Sequence, residues 1–149
     1  MGSRHAGNED GCDFCAIVAG AADARLVQEG EDTIAFLDRR PLFPGHVLLI
    51  PKVHVDTLGE LPAGLIAPLF TQAQRLARAV ESALEADGSF VAINNRVSQS
   101  VPHLHVHIVP RRDGDGLKGF FWPRHGYRDA GHAAEVRDAL RDALVGREG

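Results

Sequence analysis

Three histidines stand at every second position in His103-Leu104-His105-Val106-His107, and the apolar spacing continues through Ile108 and Val109. A period of two sends alternate side chains to opposite faces of a strand, so the imidazoles would share one face and Leu104, Val106 and Ile108 would pack the other. Such a stripe supports two kinds of chemistry. Neutral imidazole, with an unperturbed pKa of about 6.5, is a nucleophile at neutral pH without a strong base to activate it, and neighbouring rings can orient it and protonate a leaving group. Histidines at i and i+2 can also share a zinc ion. Reach limits that option: His103 and His107 would lie about 13 Å apart on a strand, and zinc–nitrogen bonds of about 2 Å gather at most two of the three rings. A third reading is a polar face whose rings are merely hydrogen-bonded.

The two cysteines, Cys12 and Cys15, are too close for a scaffold disulfide and suit a reducing, cytoplasmic compartment. Their C-x-x-C spacing is half of a tetrahedral zinc site, which His54 and His103 could complete; free thiols and a redox pair are the other readings. No thioredoxin-like βαβ pattern surrounds the pair. The glycine pattern of Gly114 to Arg124 lacks the Gly-Lys-Ser/Thr ending of a P-loop. Lys118, Trp122 and Arg124 in that segment are candidates for holding a leaving group.

These residues need elements to position them. Leu26–Gln28, Thr33–Asp38, His46–Ile50, Ser89–Asn94 and His103–Pro110 read as strands, the last two joined by a polar loop from Asn95 to Pro102. Leu65, Ile66, Leu69, Phe70, Ala73, Leu76, Ala77, Val80 and Leu84 recur at helical spacing, with Arg75, Arg78, Glu81 and Glu85 facing water. Pro68 belongs in the first turn of that helix or at a kink, and Asp87-Gly88 closes it. Ala133 to Val145 reads as a short amphipathic C-terminal helix. Hairpin-grouped strands around one long helix give an α+β domain with a mainly antiparallel sheet of about five strands.

The 149 residues, 44% hydrophobic and 24% charged with a formal net charge of -4, describe one ordinary globular domain. A flexible lead-in is expected over residues 1–11, with a single domain over 12–149 and a C-terminal extension from about residue 113. The acidic balance argues against a nucleic acid polymer as partner, and no apolar run reaches the length of a membrane span.

The His-x-His-x-His motif followed by two apolar residues resembles the signature of the histidine triad (HIT) nucleotide hydrolases and transferases. Phe14-Cys15-Ala16-Ile17-Val18-Ala19-Gly20 is similar to that family's N-terminal segment, and Ala35-Phe36-Leu37-Asp38 to its ribose-binding strand. Pro44-Gly45-His46-Val47-Leu48-Leu49-Ile50-Pro51-Lys52 resembles the segment carrying its fourth histidine, and Gln99-Ser100-Val101-Pro102 the approach to the triad. The likeness covers roughly Cys12 to Arg112 with the motifs in the family's order.

The resemblance implies a HIT-like fold and assigns roles by position. His105 would attack the α-phosphorus of a nucleotide conjugate, forming a nucleotidyl-histidine that water resolves to a nucleoside monophosphate. His107 would contact the scissile phosphate, His46 would complete the histidine network and His103 would help hold the central ring. Asp38 would accept from the ribose hydroxyls. Phe14, Ile17 and Phe36 would wall the base, and Asn94, Gln99 and Ser100 would reach the phosphates or the leaving group. Cys12, Cys15, His54 and His103 would hold a structural zinc, with no cofactor in the chemical step.

The ligand implied is a purine nucleotide or its conjugate: a dinucleoside polyphosphate, a nucleoside phosphoramidate or an acyl nucleotide. A homodimer is likewise expected. His107 stands where the uridylyltransferase-like branch carries glutamine, which favours hydrolysis over transfer. A non-catalytic nucleotide-binding sensor or partner-binding protein of the same fold, and a zinc-dependent hydrolase, are the competing readings.

Overall fold

The computed structural model describes residues 11–118 and 124–148. Most of the lead-in expected at the N-terminus, and Trp122 of the proposed leaving-group segment, lie outside them. The elements run α1 (Asp13–Val18), β1 (Leu26–Glu29), β2 (Thr33–Leu37), β3 (Val47–Pro51), a 3-10 turn (Leu58–Glu60), α2 (Ala63–Leu84), β4 (Gly88–Ile93), β5 (Val106–Arg111) and α3 (Ala130–Glu148). The five strands form one antiparallel sheet in the order β1-β2-β3-β5-β4. None of the described helices is long and apolar enough to cross a membrane.

Alternation along the strands builds a different core on each face of this sheet. Ala35, Val47, Leu49, Val106 and Ile108 point to one face, where Leu69, Ala73, Leu76 and Val80 of α2 cover them. Ile34, Phe36, Leu48 and Ile50 point to the other, where Cys12, Phe14 and Ile17 from the α1 segment join them. The α2 stripe that reaches the core is narrower than the sequence pattern suggests: Ile66, Phe70 and Leu84 are exposed. Pro68 sits beyond the first turn, inside the helix, because α2 starts at Ala63. The helix closes not at Asp87-Gly88 but on Glu85, which takes a left-handed conformation with φ 52° and returns its N–H to Glu81.

The triad strand begins later than its sequence pattern. His103 to His105 lies ahead of β5, with the Leu104 N–H donated to the Val55 carbonyl at 2.8 Å, beyond the end of β3. The alternation nevertheless persists: Leu104 joins the α2-side core, while the Phe14 ring from the opposite side meets His103 and His105 edge-on.

A division between compact units falls between Asp115 and Gly116. In the second unit α3 is longer than the expected Ala133–Val145, because Asp129 caps it by accepting from the His132 N–H at 2.8 Å.

Candidate active site

Register lays out the site. Leu26, Phe36, Leu48 and His107 are successive cross-strand partners on β1, β2, β3 and β5, so they form a row on one face of the sheet. Phe14 and Ile17 of α1 face this row, and between them lies a cavity of about 270 Å³ that His105 and His107 also line. The Phe14 and Phe36 rings meet edge to face with centroids 5.3 Å apart. Asp38 and Ser100 line the same cavity. The result is a slot with apolar side chains along the sheet and α1, imidazoles at its β5 end, and Asp13, Asp23, Asp38, Arg39 and Arg40 around its walls.

Hydrogen-bond partners fix the proton positions on the rings. A carbonyl only accepts, so His105 Nδ1, 2.8 Å from the His103 carbonyl oxygen, must carry its proton there, which leaves the lone pair of the neutral ring on Nε2. The Leu42 N–H donates to His46 Nδ1 at 3.1 Å, so neutral His46 carries its proton on Nε2. That proton is donated to His107 Nδ1, 3.0 Å away, which places the His107 proton on Nε2. The chain therefore presents a lone pair on one imidazole and an N–H on the next, with ring centroids 4.9 Å apart.

Burial is the main reason all these rings stay neutral. It pushes His107 down to about 4, helped by the neighbouring His105 and His46 and opposed by Asp38. His46 and His105 are lowered for the same first reason; Asp38 opposes both, and the His103 carbonyl opposes the shift of His105. Asp38 Oδ2 lies 3.7 Å from His46 Nε2, and its Oδ1 accepts from the Arg40 N–H at 2.9 Å.

A second cluster gathers around His103, just ahead of β5. His103 Nε2 donates to the Pro51 carbonyl at 2.9 Å and His54 Nε2 to Asp56 Oδ1 at 2.9 Å, so both rings turn an Nδ1 lone pair toward the cysteines. His54 Nδ1 is 3.1 Å from Cys15 Sγ, and His103 Nδ1 is 3.4 Å from Cys12 Sγ and 3.5 Å from Cys15 Sγ. Nitrogen–sulfur edges of about 3.5 Å are those of a zinc tetrahedron, and a carboxylate or carbonyl behind each histidine is the usual outer support. The four residues fit zinc. Asp38, His46 and His107 also bring ligand atoms together, but the Leu42 N–H occupies His46 Nδ1 and keeps a proton on the nitrogen a cation would need.

The structure thus brings His105, His107, Asp38, Ser100, Phe14, Ile17 and Phe36 to one cavity, with His46 bonded to His107 behind it, and Cys12, Cys15, His54 and His103 to one cluster. Two expected contacts fall elsewhere. Asn94 is exposed just past β4 and does not line the cavity. The Gln99 amide is used at both ends, donating to the Asp56 carbonyl at 2.6 Å and accepting from the Arg96 N–H at 2.8 Å; it anchors the loop that carries Ser100. Sequence reasoning missed Leu48, which cross-strand parity with Phe36 and His107 could have found. It also missed Leu42, Pro51 and Asp56, which act through main-chain atoms or a single carboxylate without a motif.

Comparison with known proteins agrees with this arrangement. The HIT domain model matches residues 19–114. An uncharacterised HIT-like protein of Mycobacterium tuberculosis is 40% identical over 139 residues, 90% of this chain and 93% of the relative. An adenylylsulfatase of Arabidopsis thaliana is 32% identical over 73% of this chain and 56% of its own length. An adenosine 5′-monophosphoramidase of Candida albicans is 29% identical over 90% and 91%. The crystal structure of a zinc-bound histidine triad protein from Mycobacterium smegmatis superimposes with a TM-score of 0.70 at 38% identity, covering 93% of this chain and 99% of that one. The slot, the imidazole chain and these matches agree: the chain belongs to the HIT, or histidine triad, family.

Proposed function

We propose that the protein hydrolyses a nucleotide conjugate at its α-phosphorus through a nucleotidyl-His105 intermediate. The observation that carries this reading is the His105 Nδ1–H bond to the His103 carbonyl, because it commits the Nε2 lone pair to the cavity without any charged base. In this reading the base lies against Phe14, Ile17 and Phe36 in the slot, Asp38 accepts from the ribose hydroxyls and the α-phosphate rests against His105 and His107. His105 Nε2 forms the bond to phosphorus as the bond to the leaving group breaks with its electron pair. The His107 Nε2–H, held in place by His46, gives its proton to the departing oxygen or nitrogen as that bond breaks and regains one from the water that follows; positioned donors are the main source of catalysis at phosphorus. Water then displaces His105 and releases a nucleoside monophosphate.

Relatives named adenylylsulfatase and adenosine 5′-monophosphoramidase support bonds from the α-phosphorus to sulfate oxygen and to amine nitrogen as the candidates. Cys12, Cys15, His54 and His103 would hold zinc, whose contribution is to tie α1 to the segments around β3 and β5. The chemical step does not pass through it. Cysteines facing imidazoles as free thiols suit a reducing, cytoplasmic setting.

Turnover of adenosine 5′-phosphoramidate and adenosine 5′-phosphosulfate, followed by release of the monophosphate, tests the activity. His105→Ala is expected to lower kcat by on the order of 10³-fold or more, and quenched turnover of a His107 variant should show a nucleotide-mass adduct on residue 105. Full activity in His105→Ala would overturn the mechanism.

A further inference from the structure

The far end of the slot carries charge of both signs. Because Leu26, Phe36, Leu48 and His107 form one row, a nucleotide whose phosphate lies at His107 runs from β5 toward β1. The residues just before β1 stand at that outer end. A second cavity opens there: it shares Asp23, Ala24, Leu37, Asp38 and Arg39 with the slot and adds Arg25 and Pro41. Asp38 is the ribose carboxylate of the reading above, which leaves Asp23 and Arg39 as the charged side chains on the shared wall. Both are exposed, and among the described residues no ion pair engages either one.

A base seated in the slot against Phe14 and Phe36, with its phosphate at His107, turns its outer edges toward this wall. A carboxylate takes two adjacent donors and a guanidinium two adjacent acceptors. Guanine offers both pairs side by side, N1–H with the 2-amino group and O6 with N7. Adenine offers a 6-amino group flanked by single acceptors, so neither charged group can pair with it twice. We propose that Asp23 and Arg39 select guanine over adenine, Asp23 accepting from N1–H and the 2-amino group and Arg39 donating to O6 and N7. This rests on the reading of the His105–His107 end as the α-phosphate site.

Calorimetric titration of the full chain with GMP, IMP and AMP tests it. GMP is expected to bind at least about tenfold more tightly than AMP, a ratio that one exposed bidentate pair supplies. IMP, which keeps O6, N7 and N1–H but lacks the 2-amino group, should fall between. Asp23→Ala should remove the advantage of GMP over IMP, and Arg39→Ala should reduce the advantage of IMP over AMP to what the N1–H contact with Asp23 supplies, each leaving AMP affinity within about twofold of its original value and the melting temperature unchanged. Equal binding of GMP and AMP by the unaltered protein, or a ratio that neither variant moves, would overturn the selection while leaving the phosphate site standing. Failure of all three nucleotides to bind would overturn that site and this inference together.

Discussion

The neutral imidazoles carry a cost that pH should reveal. His107 titrates at about 4 in the folded chain against an ordinary value of 6.5, and His46 is lowered as well. Between those two values the unfolded chain binds more protons than the folded one, so stability rises with pH there. The contribution is complete above pH 6.5 and is lost as pH falls toward 4. Its ceiling for His107 is about 3 kcal/mol, reduced because the ring retains some solvent contact. Denaturant midpoints should therefore hold steady from pH 8 to 7 and fall on acidification, less steeply in His107→Gln. An identical acid slope in that variant would show that the ring does not contribute. The meeting of His105 and His107 at one cavity was readable because residue type and a period of two appear directly in the sequence. Their tautomers were not, since Leu42 and Pro51 set them through main-chain atoms that any residue at those positions supplies.

Among the elements, α1 depends most on its surroundings. Six residues make an isolated helix unstable in water, and this one is held by Phe14 and Ile17 in the core and by Cys12 and Cys15 in the cluster. Removing metal from the purified protein with a chelator should raise hydrogen exchange across Asp13–Val18 while β3 and β5 stay protected. Cys15→Ser should lower the zinc content and reproduce the exchange pattern. Unchanged exchange in a metal-free sample would remove the clamp. The turn into β3 makes a second requirement. Gly45 has φ 99°, and a Cβ there would displace the end of the exposed Leu84 side chain, which can swing aside, so Gly45→Ala should cost about 1–2 kcal/mol through the backbone. A melting temperature within a degree of the parent would contradict that. The long periodic helix and the strands were legible in the sequence. α1 was not, because six residues are too few to show a period, and the start of β5 was not, because Leu104 finds its partner at Val55 rather than on β3.

At the scale of the molecule, the sheet separates a structural core under α2 from the face that carries the site. Its two outer strands leave apolar side chains in solvent, Leu26 and Val27 on β1 and Val91 on β4. Such edges favour pairing with another chain, and sedimentation is expected to give the mass of a homodimer; a single-chain mass at micromolar concentration would contradict it. The general architecture followed from strand spacing and one helix, whereas the slot depended on register across four strands, which no local pattern encodes. One further consequence lies in His103, whose ring faces the cysteines while its carbonyl holds the His105 ring. A main-chain oxygen cannot be deleted by substitution. Mutational scanning at position 103 would report only what the ring does, and the atom that aims His105 would leave no mark in the scan. The orientation of the His105 ring is inherited through the path of the chain and not through the identity of a residue.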